Sequence, residues 1–201
     1  MGRLILVRHA ESEGNAIRRF TATPETLDLT ELGRRQAALA AAKIGELFRP
    51  VKAIASDYRR AAETGRIITA ALGIPLELEP NLRERNIGDL VGQPYDSVAR
   101  DPSYDPARSW LWRPPGGESL VEVMARSGPV LDRLAARYGG GEIVVVSHGG
   151  VMRALWAHVT GSWEGAHIPA NCGIVVVEHE AGRYGAPRVI GEAAPARDAG
   201  G

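Results

Sequence analysis

Short apolar runs alternate with amphipathic stretches along this chain, and several of the runs end in a cluster of polar residues. Residues 3–7 predict a buried strand that stops abruptly at Arg8-His9. Residues 8–29 are polar, contain Gly14 and Pro24, and predict a loop with a short helix at 13–19. Thr30 suits the N-cap of a helix over 31–48, with an apolar stripe of Leu32, Leu39, Ala40, Ile44, Leu47 and Phe48 at a period near 3.6 residues. Pro50 follows its end. A second strand covers 51–56. A helix then runs over 57–72, with Ala61, Thr64, Ile67, Ile68 and Ala71 inward and Gly73 as its stop. Residues 74–79 alternate apolar and polar and predict a short strand near a sheet edge.

Residues 80–117 are the irregular part, punctuated by Pro80, Gly88, Gly92, Pro94, Pro102, Pro106, Pro114, Pro115, Gly116 and Gly117. A short helix is expected at 94–100. Loops of this length in compact domains are lids or binding walls. Trp110 and Trp112 have two open readings here, lid packing or a substrate wall. Ser119 and Glu122 have capping-box spacing and open a helix through Tyr138, which Pro129 kinks or divides. Gly139-Gly140-Gly141 precedes a strand, so it is a turn and not a phosphate-binding fingerprint. Residues 142–147 predict a third strong strand and 150–160 a helix. A strand follows at 173–178, and 187–190 predict an edge strand. The Gly/Ala-rich tail 191–201 has no core to join and is expected to fray, leaving 1–190 as one domain.

Strands alternating with helices imply a layered α/β domain with a largely parallel sheet. Ligands bind such sheets beyond the carboxyl ends of the strands. Three polar clusters fall there: Arg8-His9, then Ser56-Asp57-Tyr58-Arg59-Arg60, then Ser147-His148-Gly149-Gly150. The helices that follow would aim free N–H groups and a positive dipole at the same crevice. Two arginines, two histidines and helix N-termini converging on one spot describe an anion site, and phosphate matches that many donors best.

Charge supports a small ligand over a polymer. Lys+Arg and Asp+Glu both number 24, so the chain carries no basic footprint for nucleic acid or an anionic membrane. The single cysteine, Cys172, excludes an intrachain disulfide framework and fits a reducing, cytoplasmic setting. The first apolar run is too short for a signal-peptide core or a membrane span. The expected partner is therefore a small phosphate ester. No pattern sets the oligomeric state, and a homodimer stays open.

Several chemistries are excluded. The chain has no Walker loop, no dinucleotide glycine pattern and no Gly-x-Ser-x-Gly elbow. Cysteine-dependent phosphate hydrolysis needs an arginine six residues after the nucleophile, where Cys172 is followed by Glu178. No Asp-x-Asp follows a strand. His158, His167 and His179 are not spaced as a metal set with either site histidine, so neither metal nor cofactor is expected. A neutral imidazole attacks phosphorus directly, and neighbouring cations keep it unprotonated. The leaving alkoxide then needs a proton from a nearby carboxylic acid.

Four stretches together resemble the histidine phosphatase superfamily, the phosphoglycerate mutase-like proteins. Leu6-Val7-Arg8-His9-Ala10-Glu11-Ser12 resembles its Arg-His-Gly opening, and Ser56-Asp57-Tyr58-Arg59-Arg60-Ala61 its second motif. Leu82-Arg83-Glu84-Arg85-Asn86-Ile87-Gly88 resembles the third, and Val146-Ser147-His148-Gly149-Gly150 the fourth. The resemblance implies a three-layer α/β/α sandwich. It implies that His9 is phosphorylated, that Arg8, Arg60 and His148 bind the phosphoryl oxygens, and that Glu84 protonates the leaving group and then activates water. By the same resemblance Asn15 contacts phosphate, Gly149 offers a backbone N–H, and Phe20-Thr21 approach substrate. Ala10 departs from the usual glycine, Asp28-Leu29-Thr30 from the usual Pro-Leu-Thr, and Glu63 from a common glutamine.

The reaction is then a choice. Trp112-Arg113-Pro114-Pro115-Gly116-Gly117-Glu118-Ser119 resembles the phosphatase branch, and only residues 85–147 separate Glu84 from His148, without the longer basic insertion of the mutases. A phosphomonoesterase is the preferred expectation. A cofactor-dependent phosphoglycerate mutase, a protein phosphatase and a non-catalytic phospho-ligand module are the alternatives.

Overall fold

The computed structural model describes residues 1–20 and 27–191. Seven strands among these residues form one sheet: β1 (Gly2–Arg8), β2 (Lys52–Ala55), β3 (Leu76–Leu78), β4 (Glu142–Ser147), β5 (Ile174–Glu180), β6 (Arg183–Tyr184) and β7 (Arg188–Gly191). Their order is β3-β2-β4-β1-β5-β6, with β7 also on β5. The first four are parallel, while β5 runs antiparallel to β1 and carries β6 and β7 as antiparallel partners. The sheet is therefore largely parallel at its centre, as expected, with an antiparallel margin that periodicity did not disclose.

The helices are α1 (Glu13–Ala16), α2 (Glu31–Leu47), α3 (Arg59–Leu72), α4 (Leu120–Arg137) and α5 (Gly149–Thr160). Alternation along each strand sorts the core into two layers. Leu4, Leu6, Ile143, Val145, Val175 and Val177 pack under α4 and α5 with Leu131, Met152 and Leu155. Ile5, Val7, Val144, Val146, Ile174 and Val176 face the other way, against Ala41, Ile44, Ala61 and Ile68 of α2 and α3. Both faces of the central strands are buried, which is why these strands read as continuous apolar runs. The result is the α/β/α sandwich that the resemblance implied.

Two helical faces differ from expectation. Leu39 and Leu47 of α2 are exposed, and the buried face is Gly33, Gln36, Ala37, Ala40, Ala41 and Ile44. This stripe of mostly small residues lets α2 pack closely. A Cβ on Gly33 would collide with the carbonyl oxygen of Glu11. Close approach, not hydrophobicity, chooses the face. On α3, Ala71 is exposed, and Arg60, Ala62, Gly65 and Thr69 join the buried set. Gly73 ends α3 in a left-handed cap as expected. Pro129 sits inside α4, which continues through it as a single helix.

The irregular segment contains only short 3-10 turns, at Pro80–Leu82, Gly88–Leu90, Tyr95–Arg100 and Pro106–Arg108. The predicted helix at 94–100 is the third of these. Gly191, the first residue of the expected tail, belongs to β7; the rest of that tail lies outside the described residues. No helix among the described residues is long and apolar enough to cross a membrane.

Candidate active site

Parallel register brings the polar clusters together. Arg8 at the end of β1 lies opposite Ser147 at the end of β4, and Ala55 of β2 lies opposite Val146. The ladder continues one step further: His9 N–H donates to Ser147 O at 2.8 Å and Ser56 N–H to Val146 O at 3.0 Å. His9 and His148 therefore emerge side by side, with ring centroids 5.0 Å apart. Both are buried, at 3 % and 0 % exposure. Arg60 enters from the first turn of α3, and its Nε lies 3.2 Å from His9 Nε2.

Hydrogen bonding assigns the His9 tautomer. Its Nδ1 is 2.7 Å from Ala10 O, an acceptor only, so Nδ1 carries the proton. Nε2 is then the lone-pair nitrogen and accepts from Arg60. Burial, then the charges of Arg60 and Arg8, hold the His9 imidazole well below its ordinary value. Burial and Arg60 do the same to His148. His148 Nε2 bonds Ser56 Oγ at 2.9 Å, while His148 Nδ1 and Arg8 Nε are buried without a partner among the described residues. Ala10 adopts no left-handed backbone, so its departure from glycine is unstrained. Glu63 takes an ion pair with Arg34 at 2.9 Å, and Asp28 one with Arg59 at 2.5 Å.

Glu84 reaches the same cleft from the irregular segment. Its Oε1 accepts from the Arg85 N–H at 2.8 Å and its Oε2 from the Gly150 N–H at 3.2 Å, at the start of α5. A Cβ on Gly150 would stand 2.6 Å from Glu84 Oε1, so glycine there leaves room for the carboxylate. Arg126 holds the backbone beneath by donating to Asn81 O at 2.8 Å and Glu84 O at 3.2 Å, while pairing with Glu118.

These side chains line a cleft of about 350 Å³ together with Asn15, Phe20 and Gly149. Asn15 accepts from the Ser12 N–H and hydroxyl at 3.2 and 3.0 Å and faces Tyr95 OH at 3.5 Å. Phe20 packs on Tyr95 at 4.8 Å. Thr21 lies outside the described residues. Trp110 stacks on Trp163 at 5.9 Å, and buried Trp112 donates to Ser103 Oγ at 3.2 Å. Neither is among the residues lining the cleft, so both serve packing. Among the described residues no group of three His, Cys, Asp or Glu side chains is placed to hold a metal ion.

Sequence reasoning missed Arg85, Tyr95, Arg153 and Ile168, which also line the cleft. Asn171 was missed as well; its amide donates to His9 O at 2.9 Å. Helical spacing was the available signal for Arg153, which lies one turn past Gly149-Gly150 on α5. The others had none beyond their place beside a motif or in a long loop.

The family follows from comparison with known proteins. The model of the histidine phosphatase superfamily (branch 1) matches residues 4–189, and the chain belongs to that superfamily. It is similar to a metal-independent phosphoserine phosphatase of Arabidopsis thaliana, with 34% identity over 86% of this chain and 75% of that protein. It is also similar to a glucosyl-3-phosphoglycerate phosphatase of Mycolicibacterium vanbaalenii, with 36% identity over 79% of this chain and 74% of the other. Among solved structures, a mycobacterial glucosyl-3-phosphoglycerate phosphatase in complex with VO3 superimposes with a TM-score of 0.83 at 30% identity, covering 96% of this chain and 99% of that one.

Proposed function

We propose that this chain is a metal-independent phosphomonoesterase that hydrolyses a small phosphate ester through a phosphohistidine on His9. The observation that carries the proposal is the His9 imidazole: buried, neutral, with Nδ1–H fixed on Ala10 O and a lone pair on Nε2 beside Arg60. Nε2 attacks phosphorus, and the phosphorus–oxygen bond to the alcohol breaks. Glu84 in its acid form gives its proton to the departing oxygen. The resulting carboxylate takes a proton from water as that water attacks phosphorus. The phosphorus–nitrogen bond breaks, and inorganic phosphate and neutral His9 are regenerated.

Arg8, Arg60 and His148 bind the phosphoryl oxygens and balance their charge through the transition state. Arg8 Nε and His148 Nδ1 suit that role because each is buried with no partner among the described residues. Gly149 at the N-terminus of α5 adds a backbone N–H, and Asn15 a side-chain amide. Phe20 supplies an apolar surface to the rest of the substrate. Thr21 is carried from the resemblance alone.

A small ester suits the size of the cleft, and the relatives named above act on phosphoserine and glucosyl-3-phosphoglycerate. Residues 80–117 wall the cleft within a single domain over 1–190. A cytoplasmic setting suits Cys172, a buried thiol pushed up to about 12 by burial and so poorly reactive. Phosphate release from O-phosphoserine, glucosyl-3-phosphoglycerate and p-nitrophenyl phosphate, measured with and without a chelator, tests the reading. Turnover indifferent to the chelator is expected. Turnover that collapses with chelator and returns with a divalent metal contradicts it, as does isomerisation of 3-phosphoglycerate faster than phosphate release.

A further inference from the structure

We propose that Thr64 and Gln36 are positioning residues for the His9 nucleophile. From outside the cleft they hold the peptide groups on either side of Ala10, and so fix which His9 nitrogen is free to react. The inference rests on the reading of His9 as nucleophile and deepens it. Neither residue lines the cleft, and both are buried, at 0 % and 7 % exposure. Thr64 lies one turn of α3 past Arg60, and Gln36 is the one polar side chain on the buried face of α2.

The Ala10 carbonyl is the group that selects the tautomer, since it takes the His9 Nδ1 proton at 2.7 Å. A peptide group is planar, so this carbonyl points where the N–H of the same plane lets it. That N–H, of Glu11, donates to Gln36 Oε1 at 2.9 Å. The preceding peptide is held at both ends. Its N–H, of Ala10, donates to Thr64 Oγ1 at 3.1 Å, and its carbonyl, of His9, accepts from the Asn171 amide at 2.9 Å. Three side chains, from α2, α3 and the turn before β5, therefore pin two consecutive peptides beside the nucleophile.

The Thr64 hydroxyl also closes a circuit. It donates to Arg60 O at 2.7 Å while it accepts from Ala10 N–H, and Arg60 Nε donates to His9 Nε2 at 3.2 Å. Every bond in the ring then runs one way: Arg60 to His9, His9 to Ala10, Ala10 to Thr64, Thr64 to Arg60. Bonds in such a chain polarise and strengthen one another. Donation from a threonine to the carbonyl four residues back is ordinary in helices. Here the same oxygen also receives the peptide that follows the nucleophile. Without the hydroxyl, Ala10 N–H is buried and unpaired, and that peptide turns to find another acceptor. His9 Nδ1 then loses its fixed partner, and the lone pair on Nε2 is no longer held toward the phosphate floor.

Nitrogen NMR of histidine-labelled protein reads the tautomer without turnover. His9 in the unmodified protein, assigned by its loss in His9→Ala, should show a protonated Nδ1 and an unprotonated Nε2. Thr64→Val keeps the shape and removes the hydroxyl; it should move both nitrogens toward a mixture of tautomers, and Thr64→Ser should restore the single one. Single-turnover release of p-nitrophenol should fall about tenfold in Thr64→Val, part of the roughly hundredfold that a misplacement of about 1 Å costs. KM should change far less, and Thr64→Ser should recover the rate. Gln36→Leu releases the other peptide and should give the same two signatures, which keeps the test alive where Thr64→Val does not fold. An Nε2–H tautomer in the unmodified protein overturns the proposal. A folded Thr64→Val or Gln36→Leu that keeps the single native tautomer overturns it too, as does a loss of rate that Thr64→Ser does not restore. No phosphate release from p-nitrophenyl phosphate by the unmodified protein would count against the phosphatase reading instead, because the spectra need no turnover.

Discussion

The floor and the wall of the cleft are built on different principles. The floor is a row of strand ends, where backbone ladders carry His9, Ser56 and His148 to one edge and leave little freedom in their placement. Its histidines are buried, and no side chain there need choose between alcohols. The wall, 80–118, has no ladder to lean on. Side chains and turns hold it: Arg126 on the carbonyls of Asn81 and Glu84, Glu118 on the Asn86 N–H at 2.9 Å, and Asp89 N–H on Pro115 O at 3.0 Å. It is also tied to the loop after α1, because Phe20 and Gly92–Gln93 exchange backbone bonds of 3.0 and 2.8 Å. The difference separates what any phosphate ester needs from what one ester needs. On the proposed reading the floor binds and transfers the phosphoryl group, and the wall brings the acid.

Four perturbations sharpen that division, taken from the largest effect down. His9→Ala removes the nucleophile from the floor and should reduce phosphate release from every ester by more than about three decades. Glu84→Gln acts on the wall and should discriminate. Turnover of an alkyl phosphate falls about a hundredfold or more, while p-nitrophenyl phosphate, whose leaving group hardly needs a proton, falls far less. Equal losses on both would place Glu84 outside acid catalysis. Gly150→Ala crowds the same carboxylate from the floor side and should give the same pattern at about tenfold.

The fourth concerns stability. His9 and His148 are held below their ordinary value in the folded chain, so below about pH 6.5 the unfolded chain binds protons that the folded chain refuses. Stability is then lost as pH falls from about 6.5, with a slope of about 1 kcal/mol per pH unit for each histidine. Urea midpoints between pH 5 and 7 should flatten when both are changed to asparagine. A residual slope from His179, also pushed down by burial, should remain. An unchanged slope in the double variant would contradict the neutral-imidazole account.

The same division explains what was legible in the sequence. The floor was: Arg8-His9, Arg60 and His148-Gly149 all sit where an apolar run gives way to polar residues, and a parallel sheet gathers such points. The antiparallel direction of β5 was not, because a fully buried strand has the same apolar run whichever way it points. The face of α2 was misread because Leu39 is more hydrophobic than Gly33, yet only the small residue fits against Glu11. Along the wall, motif resemblance supplied Glu84, but Arg85 and Tyr95 owe their place to long-range contacts that periodicity does not encode, whereas Arg153 on α5 was within reach of helical spacing. Trp112 shows the same limit, since only packing decides between a substrate wall and the support for Arg85.

The central claim is that the phosphoryl group passes through His9. Rapid acid-free quenching of the protein with a labelled ester, followed by digestion and mass spectrometry, tests it directly. The account predicts a base-stable, acid-labile phosphoryl adduct on the peptide that contains His9, formed no more slowly than turnover and absent in His9→Ala. An adduct on another residue, or full turnover by His9→Ala, would contradict it.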